Sequence, residues 1–69
     1  MSWDKKYVNF GVVKVNKNVV KVYKDQFTAL PLSMDSTVRN ALWTGDELTV
    51  YLENGKVRKY KDQFTYKIF

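Results

Sequence analysis

Lys14, Lys21 and Arg58 stand among Tyr23, Tyr51 and Tyr60 at positions that strand alternation gathers on one face of a sheet. Cations of this kind neutralise phosphates, and tyrosine rings offer flat surfaces on which unstacked bases rest. From residue 56 the run Lys-Val-Arg-Lys-Tyr-Lys adds four cations in six positions. These six side chains therefore predict a binding face for DNA or RNA that works chiefly through backbone phosphates. Gly55-Lys-Val-Arg-Lys-Tyr60 does not match the glycine–aromatic alternation of the common RNA-recognition strand. The competing expectation is a protein-interaction or self-associating module, a homodimer being its simplest form, whose charged face serves solubility alone.

Catalysis is not expected. The 69 residues contain no histidine and no cysteine, which removes the imidazole base, the thiolate nucleophile and zinc-type ligand sets. Ser2, Ser33 and Ser36 sit near an end or at capping positions. Gly11, Gly45 and Gly55 stand apart, so no glycine-rich phosphate loop exists. One acid pair merits attention: Asp25 and Asp62 occupy equivalent places in a repeat and would share a proton if brought face to face. The plainer expectation is that each bonds its own backbone at a corner, with Phe27 or Phe64 pinning that corner to the core. No cofactor and no metal is expected.

A net charge of +5, 45% hydrophobic content and 16% aromatic content describe a folded basic domain rather than a disordered chain. Ten Val, five Thr, five Tyr and four Phe against two Ala favour strands over helices. At this size about 4,500 Å² of surface is expected to remain accessible after folding, which leaves a thin core. No uncharged run approaches the roughly 18 residues of a membrane span, and the first residues lack the apolar stretch of a signal peptide. The expectation is a single cytoplasmic domain over 1–69 with no membrane partner.

The repeat organises the chain. Tyr23-Lys-Asp-Gln-Phe-Thr28 recurs unchanged as Tyr60-Lys-Asp-Gln-Phe-Thr65, and the offset of 37 extends backwards to relate residues 12–28 to 49–65. Each copy reads as a β-hairpin, turning at Lys17-Asn18 in the first and at Asn54-Gly55 in the second. Those two-residue turns pair Val15 with Val20 and Lys14 with Lys21, then Leu52 with Val57 and Tyr51 with Arg58. The core face then carries Val13, Val15, Val20, Val22, Leu48, Val50, Leu52 and Val57. Lys59 falls where the first copy has Val22, so the second hairpin is expected to fray or bulge there.

Between the copies, Ser33 or Asp35 caps a predicted helix over 35–43 with Met34, Val38, Ala41 and Leu42 at near-helical spacing and Gly45 beyond its end. Residues 7–10 read as an added strand, and Tyr66–Phe69 as another. The predicted fold is α+β: a small, mostly antiparallel sheet of two repeated hairpins with one short helix between them. An SH3-like small β-barrel is the alternative. Trp43 is expected to close the core. Trp3, with few anchors nearby, is expected to be exposed and available for stacking.

Overall fold

The computed structural model describes residues 3–69. One short helix, α1 (Lys5–Phe10), precedes seven strands. Strands β1 (Val13–Asn16), β2 (Val19–Tyr23) and β3 (Ala29–Ser33) form one antiparallel sheet in that order. Strands β4 (Val38–Thr44), β5 (Glu47–Leu52), β6 (Val57–Tyr60) and β7 (Tyr66–Ile68) form the second. The α+β description holds in this coarse form. The two sheets do not close into a barrel, which removes the SH3-like alternative.

The helix and one strand have exchanged places relative to the sequence reading. Residues 5–10 are helical because Asp4 caps the N-terminus, its carboxylate accepting the Lys6 N–H at 2.9 Å. Gly11 ends the helix at φ 69°, its N–H returning to the Tyr7 carbonyl at 2.9 Å. Conversely, the predicted helix over 35–43 gives way to β4. A β-bulge between Val38 and Asn40 sets two residues against Tyr51, so the buried Val38 and Ala41 lie three apart and imitate helical spacing. Gly45 then forms the first position of the two-residue turn into β5, with φ 65°.

The repeat is more extensive in space than in sequence. Each copy is a three-stranded meander, β1-β2-β3 and β5-β6-β7, and the second and third strands of both copies share one register. Tyr23 pairs with Ala29 as Tyr60 pairs with Tyr66, and Lys21 with Pro31 as Arg58 with Ile68. The first hairpin has the predicted register, including Lys14 opposite Lys21, with Lys17 at φ 54° in its turn.

The second hairpin is displaced by one residue. Glu53 joins Asn54 and Gly55 in a three-residue loop, closed by Gly55 N–H to the Leu52 carbonyl at 3.1 Å and Leu52 N–H to the Lys56 carbonyl at 2.9 Å. Gly55 supplies the positive φ (88°) of the bulge that follows a type I turn. Tyr51 therefore pairs with Val57 and Val50 with Arg58. A slip of one residue turns every side chain of a strand over. Arg58 and Tyr60 go inward, and Val57 and Lys59 go outward.

Val20, Val22, Leu48 and Val50 are fully buried at the centre, with Leu32, Met34, Val38, Ala41 and Leu52 around them. Val13 is half-buried and Val15, near the end of edge strand β1, is 39% exposed. The accessible surface is 4623 Å², close to the expectation from size. Trp3 is buried rather than exposed. Its indole N–H donates to the Tyr60 carbonyl at 3.0 Å, and its ring meets Tyr7 and Trp43 edge-on at 5.7 and 5.3 Å. Trp43 is half-buried and completes this cluster. No helix among the described residues is long and apolar enough to cross a membrane.

Candidate interaction surface

The six residues singled out for binding do not share one surface. Lys14 and Lys21 stand opposite each other on the outer face of the first sheet, and the Lys14 ammonium lies 5.6 Å from the centre of the Tyr23 ring. Tyr51 is 40% exposed on the outer face of the second sheet. Arg58 and Tyr60 are buried, the consequence of the slipped register. Half of the predicted surface therefore remains together, and Trp3 adds nothing to it.

Arg58 occupies an unusual position for a cation. Its guanidinium donates to the Tyr60 hydroxyl at 3.2 Å, pairs with the Asp35 carboxylate at 3.1 Å and stacks 4.6 Å from the centre of the Tyr66 ring. The Tyr60 hydroxyl in turn reaches the Met34 sulfur at 3.4 Å. Burial works against the charged guanidinium, but the Tyr60 bond, the two phenols and Asp35 outweigh it and raise its pKa above the ordinary value. Asp35 is two-thirds exposed, so the ion pair itself contributes little, and the aromatic enclosure matters more.

The two repeated corners are nearly identical. Asp25 accepts the Phe27 and Thr28 N–H groups at 2.8 and 2.7 Å, and Asp62 accepts those of Phe64 and Thr65 at 2.7 and 2.8 Å. The N–H of Phe27, or of Phe64, lowers the carboxyl pKa most. Burial opposes it, and the threonine contacts add to the lowering. Each carboxylate thus bonds the backbone of its own corner, as the plainer sequence expectation has it. Stability from both groups is full above the ordinary value of 3.8 and is lost as pH falls through their lower folded values. Melting temperature should therefore fall as the pH drops below about 4, and the paired Asp25→Asn, Asp62→Asn variant should lessen that fall.

The phenylalanines of these corners do not anchor them. Phe27 is 87% and Phe64 78% exposed. The Asx turns and the backbone bonds from Lys24 to Thr28 and from Lys61 to Thr65 hold the corners, so Phe27→Ser with Phe64→Ser should change stability by no more than about 0.5 kcal/mol each in denaturant titrations.

A run of exposed apolar side chains lies at β7, where Tyr66, Ile68 and Phe69 are 41%, 52% and 65% exposed. Phe69 and Val57 exchange backbone bonds at 2.7 and 3.1 Å, and the Lys61 N–H reaches the Thr65 carbonyl at 2.9 Å. Bonded pairs alternate with unbonded ones along an antiparallel ladder, so the N–H and C=O groups of Tyr66 and Ile68 point away from β6. No strand among the described residues flanks β7 on that side. In the first copy the position equivalent to Ile68 is Pro31, which has no N–H to offer on its free edge. The offset of 37 already aligns Pro31 with Ile68 in the sequence, and that contrast is the signal that marks β7.

Among the described residues no group of three or more Asp or Glu could hold a metal ion. A cleft of about 420 Å³ beside α1 is lined by Trp3, Lys5, Val8, Asn9 and Asp46. No family model, curated protein or solved structure matches the chain.

Proposed function

We propose that the chain is a non-enzymatic binding module that takes up an extended segment of a partner protein as an eighth strand beside β7. The observation that carries this reading is the unpaired edge itself. Tyr66 and Ile68 direct backbone donors and acceptors into open space, and their side chains carry the apolar inner face of the sheet past its last strand. Copy one, with the same register, has a proline at the matching place. An added strand would bond to both residues and cover both side chains.

Ile68→Pro tests this directly, because Pro31 fits the equivalent position in the same fold. The variant is expected to fold, with unchanged circular dichroism, and to lose strand uptake. Equal uptake by wild type and variant would contradict the reading.

A second reading keeps the nucleic-acid expectation for the first sheet alone. It is favoured by Lys14 and Lys21 standing opposite each other with Tyr23 beneath the Lys14 ammonium. Two lysines release few counterions, so binding of an oligonucleotide would be confined to low salt. Lys14→Ala with Lys21→Ala should remove it in an anisotropy titration.

A further inference from the structure

We infer, resting on the strand-addition reading, that the partner strand alternates apolar and acidic side chains and that a second copy of this chain is a poor occupant of the edge. The two faces of β7 differ in chemistry. Tyr66 and Ile68 lie on the inner face, beside Tyr60 and Arg58. Lys67 lies on the outer face directly opposite Lys59, whose ammonium sits 5.2 Å from the centre of the Phe69 ring.

The hydrogen-bond pattern places the incoming residues. Those opposite Tyr66 and Ile68 become the bonded pairs, so their side chains point inward and need to be apolar. The residue between them faces Lys67 in an unbonded pair, where side chains of neighbouring strands come closest. A carboxylate there meets Lys67 across the ladder, with Lys59 one strand further on. The edge thus selects a strand of the type apolar-acidic-apolar.

The same geometry disfavours self-pairing. The antiparallel register that uses both Tyr66 and Ile68 of two copies sets Lys67 against Lys67, and like charges directly opposite are destabilising. Each copy also carries a net charge of +5.

The test uses the full chain and four fluorescein-labelled nine-residue peptides. Three alternate valine with glutamate, serine or lysine, and the fourth scrambles the valine–glutamate peptide. Anisotropy titrations at low salt should give the alternating acidic peptide at least tenfold tighter binding than the serine peptide, about 1.4 kcal/mol. The scrambled and lysine peptides should bind more weakly still. Lys67→Glu should reverse the preference between the acidic and lysine peptides, and Ile68→Pro should weaken uptake of the acidic peptide at least tenfold.

Equal binding of acidic and serine peptides, both lost in Ile68→Pro, would overturn the charge inference while leaving strand addition standing. Equal binding of acidic and scrambled peptides would reduce the site to bulk charge attraction and overturn it too. A dimer in light scattering that Ile68→Pro dissolves would overturn the exclusion of a second copy. Binding by none of the peptides would remove the strand-addition reading itself.

Discussion

Trp3→Ala is expected to cost about 3–5 kcal/mol in a denaturant titration. The indole is 4% exposed and joins α1, at Tyr7, to the ends of β4 and β6, at Trp43 and Tyr60. Its loss opens a void beside Tyr7 and Trp43 and removes the indole hydrogen bond to the Tyr60 carbonyl. Helix α1 has six residues, none fully buried, and reaches the core only through the half-buried Tyr7 and Val8. A domain of this length has a total stability of roughly 3–10 kcal/mol, and the variant should be largely unfolded at 37 °C. Had Trp3 been the exposed stacking residue that the sequence suggests, the same substitution would change stability by no more than about 0.5 kcal/mol.

The second large effect concerns Arg58, and two substitutions should diverge. Arg58→Ala removes a buried side chain that fills the space against Tyr66, bonds Tyr60 and reaches Asp35, and it should cost about 2–4 kcal/mol. Arg58→Met keeps the volume without the buried charge. The Tyr60 hydroxyl retains the Met34 sulfur as its acceptor, and Asp35 turns into the solvent that already surrounds it. That variant should match the wild type within about 1 kcal/mol or exceed it, because removing the desolvated charge offsets the lost contacts to Tyr60 and Tyr66. Urea titrations of both variants decide between the two registers of the second hairpin. With Arg58 facing outward, alanine and methionine would be nearly indistinguishable.

That register is where the sequence was hardest to read. In the first hairpin, valines on both arms agree with a two-residue turn at Lys17-Asn18, and the pairing follows. In the second, Asn54-Gly55 invites the same treatment, but Glu53 joins the loop and β6 turns over. Lys59 carried the warning: a lysine falling on the core face under one register lies in solvent under the other. The exchange of helix and strand has an equally local cause. One extra residue at the bulge in β4 gives its buried side chains helical spacing, whereas Asp4 and Gly11 bracket a helix too short to develop a periodic apolar face.

The candidate site was legible in part. Repeated segments located the corners, Tyr66–Phe69 read separately as a strand, and the Asx turns at Asp25 and Asp62 follow from ordinary aspartate chemistry. What alternation could not reveal is which edge remains uncovered, since that depends on how two sheets sit together. Comparison of the copies with each other does better: proline at 31 and isoleucine at 68 make one edge deficient in donors and leave the other complete.

Residue-resolved amide exchange on the isolated monomer, with and without the alternating acidic peptide, tests the open edge most directly. Fast exchange is expected at Tyr66 and Ile68 beside slow exchange at Lys67 and Phe69, with the two fast amides becoming protected when the peptide is added. Protection of Tyr66 and Ile68 in the free monomer, or their continued fast exchange at saturating peptide, would contradict it.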